Sequence, residues 1–174
     1  MKLTPVQEKF ILHWGEMGTR WGINRTVAQI HALLYLSPKP LPADEICETL
    51  RVARSNVSFG VKDLQNWGVV KVVHVMGDRR DHFESLQDVW HMFEIVLDER
   101  KRREIDPTLK LLRESVAELE EGNGADKHTK ERLEEMLDFF ETMTSWYHEI
   151  RRLPKKAVMK FVKMGSKVKE FLDR

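Results

Sequence analysis

The feature that most constrains the fold of this chain is a run of β-branched residues, Val69–Val75, that follows a series of helical patterns. Five of its seven residues are valine, a composition typical of a strand and unsuited to an exposed helix. A charged turn, Met76–Arg80, comes next, and Asp81–Glu84 has the pattern of a short return strand. The sequence therefore predicts a β-hairpin with a basic tip inside an otherwise helical chain.

The first helical pattern begins at Thr4 and Pro5. Threonine caps a helix through its hydroxyl, and proline is tolerated at the first helical position. Gly22 ends the pattern. The apolar residues that recur at three- and four-residue spacing, and that we expect to form the packing stripe, are Val6, Phe10, Trp14, Met17 and Trp21.

Three further helical patterns separate this helix from the hairpin. Asn24 caps the second, and three prolines within residues 38–42 interrupt it because proline removes backbone donors. A short third helix starts near Pro42, and the fourth runs from Arg54 to Trp67, where Gly68 ends it. The predicted inward-facing residues are Val27, Ile30, Leu33 and Leu34 on the second helix, Ile46 and Leu50 on the third, and Val57, Val61 and Leu64 on the fourth.

Short helices followed by a hairpin have the order of a winged helix-turn-helix. In that fold a helix enters the major groove of DNA, and the hairpin reaches phosphates or the minor groove. Asn56 is suited to adenine, and Arg54 to guanine or phosphate. The candidate DNA-binding residues are Arg54, Ser55, Asn56, Ser58, Phe59 and Lys62 on the fourth helix, with Arg79 and Arg80 at the wing tip.

Charge supports this interpretation weakly. The formal net charge is +1, and residues 24–84 carry eight Lys/Arg against seven Asp/Glu, so the few positive charges would have to concentrate at the interface. An alternative from another class stays open, since a winged domain can also serve as a helical adaptor that binds another protein.

Enzymatic chemistry is not expected. Cys47 is the one cysteine, which excludes an intrachain disulfide and favours a small buried hydrophobe. His74 and His82 can face each other across the hairpin, but two histidines without a third ligand are weak evidence for a metal. Phosphate-loop, dinucleotide and nucleophile-elbow motifs are absent from the sequence. We therefore predict no cofactor and no metal, and a cytoplasmic protein, since no signal peptide or membrane span is evident.

The chain after Asp88 is helical to its end, with predicted breaks at Gly122–Gly124 and Pro154. The long helix near residues 126–152 carries an apolar stripe that one small winged domain cannot cover, so we expect it to pack against a second subunit. The residues of the stripe are Leu133, Met136, Leu137, Phe140, Met143, Trp146 and Tyr147.

The sequence thus predicts a mainly α fold with a small hairpin, divided into three parts. They are an N-terminal packing or dimerisation helix (1–23), the winged DNA-binding domain (24–87), and a helical region for dimerisation and candidate effector binding (88–174).

A series of motifs raises the case for DNA binding. In order they are Trp21–Val27, Ala32–Ser37, Arg54–Ser58, Leu64–Val70, Gly77–Asp81, Asp88–Trp90 and Glu99–Pro107. Together they resemble the glycine-betaine-synthesis-regulator (GbsR) branch of the MarR superfamily, over roughly residues 14–107.

The resemblance implies a homodimeric transcriptional regulator, usually a repressor, that binds a pseudo-palindromic operator in double-stranded DNA. Family members typically have serine where Ala53 stands, which leaves the first turn of the fourth helix without a side-chain cap here. The resemblance also suggests a quaternary ammonium effector held in an aromatic cage. The residues of an effector site stay unassigned.

Overall fold

The computed structural model describes residues 1–121 and 127–164 of the 174-residue chain. Contacts divide the chain into two compact units, Met1–Arg100 and Lys101–Arg174. The division by function into 1–23, 24–87 and 88–174 stays a prediction. Within the described residues, no helix combines the length and the apolar character needed to cross a bilayer.

Helix α1 spans Pro5–Arg20 and begins as the sequence predicts. The hydroxyl of Thr4 accepts a hydrogen bond from the backbone N–H of Gln7, and the Gln7 side chain accepts one from the N–H of Thr4. This reciprocal capping box satisfies two backbone donors that the first turn would otherwise leave open.

Helix α2 spans Arg25–Leu36 and forms the centre of the first unit. Oδ1 of Asn24 accepts hydrogen bonds from the N–H groups of Thr26 at 2.8 Å and Val27 at 3.3 Å, which confirms the predicted cap. The predicted inward face is also confirmed, because Val27, Ile30, Leu33 and Leu34 are all buried.

The buried face of α1 matches the predicted apolar stripe only in part, since Phe10 and Trp14 are partly buried and pack against the core. Ile11 and Gly18 are among its buried residues, whereas Val6 is 78% exposed and Trp21 is 46% exposed. A Cβ at Gly18 would lie 2.5 Å from the Cβ of Ala28, so glycine is what allows α1 and α2 to approach so closely. Periodicity counts large apolar residues, and it therefore missed a face built on glycine.

Between α2 and the next helix lies a strand that the sequence analysis did not predict. Strand β1 is Leu41–Pro42, and helix α3 follows at Ala43–Leu50. Proline is tolerated in β1 because this two-residue strand lies at the edge of the sheet. The proline-rich stretch thus ends α2, as predicted, and also supplies an edge strand.

Helix α4 spans Arg54–Asn66. The predicted hairpin is confirmed as strands β2, Val70–Val73, and β3, His82–Ser85, which pair antiparallel in a three-stranded sheet of order β1-β3-β2. The predicted winged helix-turn-helix is therefore correct, and β1 completes its sheet. Helix α5, Val89–Arg100, ends the first unit, and Oδ1 of Asp88 caps its first turn.

The second unit is helical throughout its described part. A π-helical segment at Lys101–Ile105 leads into α6, Asp106–Glu121, and α7, Lys127–Arg152, packs against α6. Helix α8 is described over Lys155–Met164. The predicted break at Gly122–Gly124 and the end of the last predicted helix lie outside the described residues.

Candidate nucleic-acid interface

The connection between α3 and α4 is tight. Arg51 adopts a left-handed conformation (φ 55°), and the N–H of Val52 donates to the carbonyl of Cys47 at 3.2 Å. Ala53 then occupies the N-cap position of α4 without a side-chain hydrogen bond, while its carbonyl accepts from the N–H of Asn56 at 3.0 Å. The first turn of α4 is therefore held by the backbone, without a side-chain cap.

One face of α4 anchors the helix to the body of the domain. Val57, Val61 and Leu64 are buried, as predicted. Gly60 is buried beside them, and a Cβ there would lie 2.6 Å from Cδ1 of Ile30 on α2. The glycine allows α4 to pack closely on α2, a role that the sequence pattern did not reveal.

The opposite face of α4 is open to solvent. Phe59 is 63% exposed, so its ring is available for contact with another molecule. Within the described residues, Arg54 and Lys62 form no ion pair or hydrogen bond. The predicted residues that the structure brings together on this exposed face are Arg54, Ser55, Asn56, Ser58, Phe59 and Lys62.

The two arginines of the wing differ in their surroundings. Arg80 is held by two carboxylates: its Nε and Nη2 donate to Asp78 at 3.0 and 2.6 Å, and its Nη1 donates to Asp44 at 2.5 Å. Asp44 belongs to the first turn of α3, so this bridge fixes the wing to the helical body. Arg79 is exposed and forms no ion pair or hydrogen bond within the described part of the chain.

The ion pairs of Arg80 with Asp78 and Asp44 also shift the pKa values of all three groups. Hydrogen bonds from Arg80 hold the pKa of Asp78 far below its usual range, and the two carboxylates raise the pKa of Arg80. For Asp44, burial raises the pKa, but the hydrogen bond from Arg80 and those from the backbone outweigh it and lower the pKa overall. All three groups therefore stay charged at neutral pH.

His82 completes the support of the wing. The side chain is buried, with Nδ1 2.9 Å from the carbonyl of Arg80 and Nε2 3.4 Å from Oδ2 of Asp78. The register of the hairpin pairs His82 with Val73, and His74 lies 4.0 Å from Asp81, so the suggested facing of His74 and His82 is wrong. Over residues 1–121 and 127–164, no three His, Cys, Asp or Glu side chains are grouped as metal ligands.

A cleft of about 420 Å³ separates α4 from the wing, lined among others by Arg54, Ser58, Val72 and Arg80. At the far end of the hairpin Met76 is fully exposed. The sequence analysis did not single out Asp44, Asp78 or Met76. Asp78 was detectable as an acid two residues before Arg80 in a turn, whereas the approach of Asp44 depends on the tertiary fold.

The known proteins that this chain resembles are transcriptional regulators. A family model described as MarR family matches residues 21–81. The HTH-type transcriptional repressor GbsR of Bacillus subtilis (strain 168) is 25% identical over 154 residues, which cover 84% of this chain and 85% of that protein. The HTH-type transcriptional repressor OpcR of the same organism is 19% identical over 76% of this chain and 74% of its own length.

The fold has a close counterpart among solved structures. A crystal structure of a transcriptional regulator superposes with a TM-score of 0.64 at 19% sequence identity, over 91% of this chain and 99% of that one. At this identity the likeness concerns the fold, and it extends across nearly the whole chain.

Proposed function

This chain is a transcriptional regulator of the MarR family, in its GbsR-like branch, and we propose that it represses transcription by binding a pseudo-palindromic operator as a homodimer. Regulators of this family are not enzymes, and the chain is not one. Both named relatives are repressors, and a dimer seated across a promoter would exclude the transcription machinery.

The exposed face of α4 is the observation that carries the proposal. Its buried valines and Leu64 hold the helix against the domain. The side chains on the opposite face are exposed and can enter the major groove. Asn56 is suited to a bidentate contact with adenine, and Arg54 to guanine or a phosphate. Phe59 can pack against a thymine methyl group, and Lys62 can neutralise a phosphate.

The wing contributes in two ways. Arg79 contacts the phosphate backbone or the adjacent minor groove, because it is exposed and has no acidic partner within the described residues. Arg80 keeps the wing at a fixed place relative to α4 through Asp44 and Asp78. Because two carboxylates already compensate its charge, we expect a smaller direct contribution to phosphate binding from Arg80 than from Arg79.

The second copy is proposed to dock on α7. Met136, Phe139, Met143 and Trp146 are 45–59% exposed and recur at three- and four-residue spacing along one side of that helix. Apolar patches of this kind mark interfaces. A symmetric dimer would present two α4 helices to successive turns of the duplex, about 34–36 Å apart.

Selection of bound sequences from random duplex DNA, followed by gel-shift titration of the selected site, tests the proposal. We expect a two-fold symmetric site and an affinity that falls steeply with salt. Asn56→Ala should relax base preference while leaving nonspecific binding nearly unchanged, and Arg79→Ala should weaken binding to every sequence and reduce the salt slope by about 1.

Lys9→Ala, which removes an exposed charge from α1, serves as the matched control and should change neither property. Absence of a shift at any sequence, together with a stable co-purifying protein, would instead support the adaptor function.

A further inference from the structure

The tip of the wing carries one large apolar side chain. Met76 is fully exposed, and it lies between the end of β2 at Val73 and the start of β3 at His82. Single exposed apolar residues are common on protein surfaces, so exposure alone assigns no role to Met76. The observation that distinguishes this side chain is that the turn beneath it is held in place by several hydrogen bonds and ion pairs.

A hydrogen-bonded turn presents Met76 at a defined place. The N–H of Asp78 donates to the carbonyl of Val75 at 3.1 Å, which closes a four-residue turn with Met76 and Gly77 at its centre. Gly77 has φ 84°, the left-handed value that the third position of a type II turn requires. Met76 therefore occupies the second position of this turn, at the apex of the hairpin.

The turn is also connected to the body of the domain. Oδ1 of Asp78 accepts hydrogen bonds from the backbone N–H and from Nε of Arg80, both at 3.0 Å. Nη1 of Arg80 reaches Asp44 on α3, and α3 packs against α4. Nε2 of the buried His82 lies 3.4 Å from Oδ2 of Asp78. The position of the tip relative to α4 is therefore set before DNA binds, which reduces the ordering cost of a contact there.

The chemistry of the methionine side chain restricts what it can contact on a duplex. A thioether has no charge and no donor, so it neither neutralises a phosphate nor forms the paired hydrogen bonds that identify a base edge. Its remaining partners are the apolar surfaces of deoxyriboses and the faces of bases. Methionine is one of the side chains that minor-groove proteins insert between neighbouring base pairs, which partly unstacks them.

We propose that Met76 enters the minor groove beside each half-site and wedges into a base-pair step, so that the operator is selected there by how easily the step opens. Arg79 lies three residues further along the same tip and is exposed, and its positive charge is attracted to a narrow minor groove. The arginine brings the wing to the groove, and the methionine then discriminates between steps. This inference rests on the proposed function, because it needs a duplex that α4 already holds.

Base-pair steps differ in the free energy that is needed to open them. TA and CA/TG steps are flexible and unstack easily, whereas A-tracts are stiff. A wedge at the wing tip therefore favours a pyrimidine–purine step at the position that it reaches, although no hydrogen bond identifies those bases. We expect a preference of about fivefold over a stiff step, which is the lower end of the cost of one mismatched base pair.

Parallel selections from random duplex DNA, with the full-length wild type and with Met76→Ala, test the inference. We expect both proteins to select the same bases where α4 binds, and the wild type alone to select a pyrimidine–purine step beside them. Gel-shift competition between two duplexes that differ only in that step should give about fivefold discrimination for the wild type and less than about twofold for Met76→Ala. Met76→Leu keeps an apolar wedge of similar volume and should retain the preference.

Fluorescence measures the opening of the step directly. The base analogue 2-aminopurine, placed at the adenine of the step, emits more strongly when it is unstacked. Binding of the wild type should therefore raise the emission, and binding of Met76→Ala should not. Val6→Ala, which truncates a side chain that is 78% exposed on α1, is the control and should behave as the wild type in both assays.

The possible failures of this inference and of the proposed function can be told apart. An equal step preference in the wild type and Met76→Ala, no step preference in the wild type, or unchanged emission would each overturn the inference and leave the operator assay intact. If no sequence is selected at all, the proposed function fails and the inference fails with it. Because Met76 is fully exposed, Met76→Ala should unfold at the same urea concentration as the wild type.

Discussion

In Met1–Arg100, helix α2 is enclosed by other helices and by the sheet, and Ile30, Leu33 and Ile46 have no exposed surface. In the described part of Lys101–Arg174, by contrast, the buried apolar side chains are Leu109 and Leu112, and α7 buries none over its 26 residues. The first unit therefore has a core of its own. The second leaves apolar faces open, which is what a region that completes its packing with another molecule requires.

This difference predicts two kinds of response to mutation. Removing a side chain from the first unit should lower the free energy of unfolding by the same amount at every protein concentration. Removing one from the open face of the second should have an effect that grows on dilution, because association contributes to stability by mass action.

The largest effect is expected from Leu33→Ala in the first unit. Leu33 is completely buried, so the truncation loses transfer free energy and leaves a cavity, at a cost of about 3 kcal/mol. Urea denaturation at two protein concentrations measures it. Met136→Ala, at a position that is 49% exposed, is the matched truncation in the second unit. If Met136→Ala lowered the unfolding free energy as much as Leu33→Ala, and independently of concentration, the contrast between the units would be wrong.

The next effect concerns pH and is confined to the first unit. His31 has a pKa of about 4 in the folded chain against 6.5 when unfolded, because burial disfavours the imidazolium. Between these values the unfolded chain binds the additional proton. Stability is thus fully present above pH 6.5, falls as the pH drops, and levels off near pH 4 after a loss of about 3 kcal/mol.

Denaturation curves between pH 7 and pH 4 measure this loss. The lowered pKa values of Asp78 and Asp44 mean that their contribution to stability begins to fall only at the acid end of this range, as the pH approaches the unfolded carboxyl value. The comparison is therefore with His31→Phe, which keeps their contribution and removes that of the imidazole. Parallel pH curves for the two proteins would show that His31 is not the cause.

A smaller effect is expected from Trp146→Ala in the second unit. This side chain is 53% exposed and lies on the open face of α7, so its loss should weaken dimerisation by about 2 kcal/mol, or some thirtyfold, if it is a central contact. Sedimentation equilibrium gives the dissociation constant directly. Glu135→Ala, on the same helix but charged and exposed, is the control and should leave it unchanged.

Apart from β1, the order of elements in the first unit could be predicted because its signals are local. Thr4 and Asn24 are capping residues, prolines end α2, and a run of valines marks β2. Gly68, with φ 76°, closes α4 where the sequence indicated. These features depend on a few neighbouring residues, and the sequence alone contains them.

What could not be predicted depends on contacts between distant residues. The close packing at Gly18 and Gly60 involves residues without a side chain, which periodicity cannot detect. The pairing of Arg80 with Asp44 joins residues 36 positions apart. The six exposed candidates on α4 could be predicted because they share one face of a helix. The difference in ion pairing between Arg79 and Arg80 became visible only in the folded structure.

The smallest effect is expected at the start of α4, where Ala53 stands at the cap position. Its backbone (φ −64°, ψ 147°) is already that of a capping residue, so Ala53→Ser should add the missing hydrogen bond to the first turn without strain. We expect a gain of about 1 kcal/mol in the unfolding free energy of the first unit. Ala53→Gly should give less, because glycine adds no acceptor and is more flexible when unfolded.

Because the two units are expected to be stabilised differently, the gain from Ala53→Ser should appear in the midpoint of urea unfolding and not in the dimer dissociation constant. If Ala53→Ser tightened dimerisation by as much as it stabilised the fold, the start of α4 and the association surface would be energetically coupled. The contrast between a self-contained first unit and an incomplete second unit would then have to be abandoned.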